Sequence, residues 1–107
     1  MTSKVIGFLV IELSGPGREQ HEAEMHREAT RLNRSLTMIA YAEKMSDAAF
    51  VRLLNLVDRE MADLVLVPSR PHLGSLDLTP LVERADVYCL DDSAQHAVHA
   101  QDVATPT

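Results

Sequence analysis

The sequence predicts a small α/β domain, a three-layer sandwich built on a four-stranded parallel sheet with strand order 2-1-3-4. Three observations carry the α/β class and the parallel sheet. Short apolar runs of strand length alternate along the chain with segments of helical character. One of the runs, Leu64 to Val67, has no polar break, as in a strand covered on both faces. A length of 107 residues fits one domain, and a hydrophobic fraction of 46% is enough to bury a core, mostly of aliphatic residues because aromatics make up only 4%.

Taken in order, Val5 to Ile11 reads as the first strand. It ends at Glu12, and Leu13-Ser14-Gly15-Pro16-Gly17 reads as a loop by its glycines and proline. From Arg18 to Arg34 the chain is charged, with Ala23, Met25, Ala29 and Leu32 as a thin apolar stripe. That suits a helix covering a sheet on one side and meeting water on the other. Leu36 to Tyr41 is the second strand. Ser46 is an N-cap for a helix from Asp47 to Met61, because its hydroxyl can accept a free first-turn N–H, and Phe50, Leu53, Leu54 and Val57 follow at helical spacing. Leu64 to Val67 is the third strand, and the loop after it carries Ser69, Arg70 and His72 between two prolines and Gly74. Asp77 to Arg84 is a short helix that tolerates Pro80 only in its first turn. Val87 to Leu90 is the fourth strand. The domain spans residues 1–91. Residues 92–107, where no apolar period survives, read as a flexible C-terminal tail in which Ala94 to Val103 can form a transient helix.

Composition excludes several classes of function. The formal net charge of −6 opposes phosphate backbones, so DNA binding is not expected. The single cysteine rules out an internal disulfide and points to a reducing compartment. No apolar run approaches the ~20 residues needed to span a bilayer, and the first apolar run lacks a cleavage signal, so a cytoplasmic protein is expected.

Chemistry-bearing residues are sparse. Gly15-Pro16-Gly17 precedes a helix, as anion-binding turns do, but lacks dinucleotide or P-loop spacing and reads as an ordinary turn. Ser14 would need a base nearby to be a nucleophile, and none is evident in its sequence neighbourhood. His21 and His26 are five apart and do not share a helix face, so they read as surface histidines, and His96 and His99 lie in the tail. No metal or cofactor is expected. Glu12 and Glu43 are placed near the C-terminal edge of the sheet as solvated carboxylates, and Cys89 reads as a core residue. In an open α/β sheet the loop after a strand faces the ligand crevice, which makes Ser14, Arg18, Ser69, Arg70 and His72 the candidate crevice-lining set.

The order and spacing of these elements over residues 4 to 90 resemble the catalytic domain of serine recombinases, the resolvase/invertase family. Val5 to Glu12 looks like the family's first strand and Gln20 to Asn33 like its first helix. Tyr41 to Asp47 looks like the exit of its second strand, and Ala62 to Leu76 like its apolar strand and following Asp-Arg-Leu-Gly loop. The resemblance implies a resolvase-like fold and, in the family, a serine that attacks a DNA phosphodiester while arginines hold the phosphate. Carried onto this sequence, the first-strand arginine falls on Val10 and the nucleophile on Glu12. The loop's Asp-Arg pair falls on Pro71 and His72, and its last arginine on Ser75; Ser14 stands in for the nucleophile only if the first loop is shifted. From this follows the expectation of a non-enzyme, a catalytically inactive resolvase-like domain acting in regulation through a protein partner or as a homo-oligomer. The alternative is a small-anion or nucleotide sensor that uses the old crevice.

Overall fold

The structure is a computed structural model that describes residues 4–74, 76–90 and 97–98. Strand β1 (Lys4–Val10) leads into a single helical turn, α1 (Ile11–Ser14), then a 3-10 turn (Gly15–Gly17) and helix α2 (Arg18–Arg31). Strand β2 (Ser35–Ala42), helix α3 (Asp47–Glu60) and strand β3 (Leu64–Val67) follow. After a 3-10 turn (Arg70–Leu73) come helix α4 (Thr79–Val82), strand β4 (Asp86–Cys89) and a two-residue strand β5 (Ala97–Val98). The sheet order is β2-β1-β3-β4-β5, with the first four strands parallel and β5 antiparallel to β4. The four predicted strands and their order are therefore present.

Two expectations need correction. Ile11, read as the end of the first strand, and Leu13–Gly17, read as a loop, are helical: one α turn over Ile11–Ser14, then a 3-10 turn in which Pro16 sits early, where its missing N–H costs nothing. Within the segment read as tail, Ala97–Val98 pairs with β4 as a strand and not as helix; the rest of residues 92–107 lies outside the described residues.

The core has two halves, one on each face of the sheet, because alternate β1 side chains point to opposite sides. Ile6, Phe8 and Val10 pack with Phe50, Leu53 and Val57 of α3 and with Leu81 and Val82 of α4. Val5 and Leu9 pack with Met25 and Ala29 of α2, with Leu64 and Leu66 of β3, and with Tyr88 of β4. The α2 stripe is narrower than its composition suggests: Met25 and Ala29 are buried and Leu32 is half-buried, but Ala23 is exposed, being two residues off their face. Helix α3 begins as its cap predicts, with Ser46 Oγ accepting from the Ala49 N–H at 3.1 Å. Cys89 is buried in the core. No helix among the described residues is long and apolar enough to cross a membrane.

Candidate functional site at the end of the first strand

In the order 2-1-3-4 the chain leaves β1 toward β2 and leaves β3 toward β4, so the two connections part in opposite directions. That arrangement makes a topological switch point outside the carboxyl ends of β1 and β3, the place where open α/β sheets form a ligand crevice. The register shows where it opens: β1 pairs with β3 only from Val5↔Leu64 to Gly7↔Leu66, while its pairing with β2 continues to Val10↔Ala42. From β1 the crevice receives α1 and the start of α2, and from β3 the loop through Leu73.

Ser14 closes α1 and is 6% exposed. The chain then reverses at Gly15, whose φ of 51° and ψ of −131° is a conformation open mainly to glycine, and re-enters helix at Arg18. This reversal lays the first turns of α2 against Ser14. The result is a contact between Ser14 Oγ and His21 Nδ1 at 2.8 Å. A buried hydroxyl within hydrogen-bond reach of an imidazole is the arrangement a base-assisted nucleophile requires. Sequence reading missed His21 as the partner, because seven residues interrupted by Gly-Pro-Gly carry no helical period.

His72 enters from the opposite wall. It is 2% exposed, and its Nδ1 accepts the backbone N–H of Val10 at 2.9 Å. A backbone N–H can only donate, so His72 presents a lone pair at Nδ1. Its ring meets that of His21 edge to face, with centroids 6.0 Å apart and planes at 88°. Ser14, His21 and His72 thus form one chain of contacts across the crevice.

The remaining candidates divide. Arg18 is exposed and lies three residues before His21 on α2, so the two share a helix face. Ser69 is half-buried, and its carbonyl accepts the His72 N–H at 3.1 Å. The Arg70 guanidinium folds back onto its own loop and donates to the Gly74 carbonyl at 2.7 Å. Ser75 lies outside the described residues. Glu12 and Glu43 are brought together as anticipated, through the Glu12 N–H donating to the Glu43 carbonyl at 3.1 Å, and both are exposed. Beside the site the Tyr41 hydroxyl donates to the Glu22 carboxylate. That bond, then burial, holds the phenol above its usual pKa, with Arg18 opposing weakly. No cluster of three or more metal-ligating side chains occurs among the described residues.

No family model matches the chain, and no curated protein matches it. A solved structure does: the crystal structure of the N-terminal catalytic domain of TP901-1 integrase is similar at a TM-score of 0.66 and 16% identity, over 85% of this chain and 80% of that one. This comparison corrects the expectation of a non-enzyme. The solved structure is a catalytic domain, and the expectation rested in part on Ser14 having no base, whereas His21 lies against it. What the chain shares with that integrase domain is the resolvase-like fold.

Proposed function

We propose that the chain is a recombinase-related domain in which Ser14 is the reacting hydroxyl, His21 takes its proton, and a phosphate ester is the substrate class. The observation that carries this reading is the 2.8 Å approach of Ser14 Oγ to His21 Nδ1 at the carboxyl end of β1. In the step envisaged, the Oγ proton passes to His21 Nδ1 as the Oγ–P bond forms. The bond from phosphorus to the leaving oxygen breaks, and that oxygen leaves with the proton from His21. Proton transfer by a positioned imidazole contributes roughly 10²–10⁴-fold. Arg18, on the His21 face of α2, is the cation placed to meet the phosphate. Val10, Pro71 and His72 hold none of the permanent charge that arginines would bring, so the turnover expected is slow.

The test is a fluorophosphonate probe, which phosphonylates activated serines, run beside hydrolysis of bis(p-nitrophenyl) phosphate and covalent-adduct trapping on supercoiled DNA. Labelling of the wild type that is lost in Ser14→Ala and His21→Ala supports the reading. A wild type that labels no faster than Ser14→Ala overturns it. An adduct on DNA identifies the ester as a nucleic-acid phosphodiester.

A second reading, work through a protein partner or a second copy of the chain, is favoured by a groove of about 390 Å³ between edge strand β2 and α3. Phe8, Met38, Ala40 and Leu56 line it together with Arg52 and Arg59. Sedimentation velocity checks it: a concentration-dependent dimer that Met38→Glu abolishes supports the reading, and a monomer at every concentration removes the homo-oligomer.

A further inference from the structure

β1 carries the reacting hydroxyl one turn beyond its end, yet its paired register with β3 stops at Gly7↔Leu66. At the last strand residue, Val10, the acceptor comes from neither flanking strand. It is the imidazole of His72, 62 residues away in sequence and almost fully buried. Val10 is also the residue from which α1 starts. The same ring lies edge to face with His21. One side chain therefore touches both halves of the Ser14–His21 pair's support: the backbone that launches the serine's helical turn and the ring that faces the serine's oxygen.

We propose that His72 is a positioning residue for the Ser14–His21 pair, pinning the end of β1 through the Val10 N–H and bracing the His21 ring through their edge-to-face contact. The inference rests on the reading of Ser14 as the reacting hydroxyl, but its mechanical content is separately measurable. His72 acts through Val10 and His21, and its loss leaves both members of the pair in place but unsupported. A misplacement of reacting groups by about 1 Å, caused by a change away from the chemistry, can cost about 10²-fold in rate.

The experiment compares wild type, His72→Ala and His72→Asn in the full chain. Asn is chosen because its side-chain oxygen can accept the Val10 N–H without restoring an aromatic edge. Three quantities are read: hydrogen exchange of the Val10 amide, the ring nitrogen shifts of His21, and the rate of fluorophosphonate labelling. In His72→Ala the expected result is faster Val10 exchange, shifted His21 ring resonances and labelling slowed by about 10-fold or more, as misplacement of a reacting pair does. In His72→Asn, Val10 protection returns while the His21 shifts stay displaced and labelling recovers in part. A folded His72→Ala protein with unchanged His21 resonances and unchanged labelling overturns the inference, as does a His72→Asn protein whose Val10 amide exchanges as freely as in His72→Ala. If His72→Ala does not fold, His72→Asn against wild type decides through the same three readouts. If the wild type is never labelled, the Ser14 reading fails alone, and Val10 exchange with the His21 shifts still decides whether His72 holds the pair.

Discussion

Gly7 sits in the middle of β1, on the face that carries α2, and the fit there is close enough to compute what one methyl group does. A Cβ built at Gly7 falls 2.6 Å from Met25 Sδ and 3.1 Å from Ile39 Cγ1. Non-bonded heavy atoms settle near 3.5–4.0 Å, so Met25 must retreat by about 1 Å. It has little room, being 0% exposed and one of two buried side chains by which α2 holds the sheet. Overpacking of this kind costs about 1–3 kcal/mol, while replacing a strand glycine by alanine returns roughly 0.5–1 kcal/mol of backbone entropy. At the middle of these two ranges Gly7→Ala is expected to lose about 1 kcal/mol, with the thermal midpoint falling by about 4–8 °C per kcal/mol. Urea denaturation of wild type, Gly7→Ala, Met25→Ala and the double variant measures this as a cycle. In the Met25→Ala background the clash is absent and the new methyl enters the vacated space, so the Gly7→Ala cost vanishes or reverses, giving a coupling of about 1 kcal/mol or more. Because His21 lies one turn before Met25 on the same face, serine labelling slows in Gly7→Ala as well. Equal costs in both backgrounds would refute the reasoning, because the steric conflict would then lie elsewhere than at Met25.

Ser46→Ala removes the acceptor for the Ala49 N–H and is expected to cost about 1 kcal/mol, with Ser46→Asp retaining most of the stability; urea midpoints check both. The Tyr41 phenol, bonded to the Glu22 carboxylate, titrates above its usual range in the folded chain, so the folded state binds that proton more tightly than the unfolded state does. The stability this confers is complete below about pH 10 and lost as pH rises past it. Unfolding midpoints taken at about pH 8 and about pH 11 therefore fall further for wild type than for Tyr41→Phe, and parallel falls would exclude the Tyr41–Glu22 bond as the cause.

The parts of this fold legible in the sequence are those that depend on near neighbours. Leu64–Val67 is a strand from end to end because four apolar residues closed by Pro68 are too few for a helix and suit a strand covered on both faces. Ser46 is a cap because the chemistry of capping is confined to one turn. The helical turn after β1 was not legible, since Ile11 and Leu13 read equally well as strand end and loop. The candidate set named Ser14 and His72 but not the histidine between them. His21 became a partner only through the reversal at Gly15, whose backbone torsions no periodicity encodes. Arg70 was legible as a cation but not as one whose guanidinium reaches its own loop carbonyl. The acceptor role of His72 depends on the β1–β3 register stopping at Gly7 and on a contact between residues 62 apart in sequence, both tertiary facts.

The parallel order also bears on how the chain reaches its structure. β1 precedes both of its neighbours, and each neighbour waits for an intervening helix: Ser35 begins the first partner and Leu64 the second. The strand with the most buried residues is consequently the one left longest without lateral pairing. High sequence separation between paired strands slows folding, and an unpaired apolar strand is the segment most exposed to wrong association meanwhile. The central position that lets β1 present Ser14 and meet His72 also makes Lys4–Val10 the segment most open to wrong association while the chain folds.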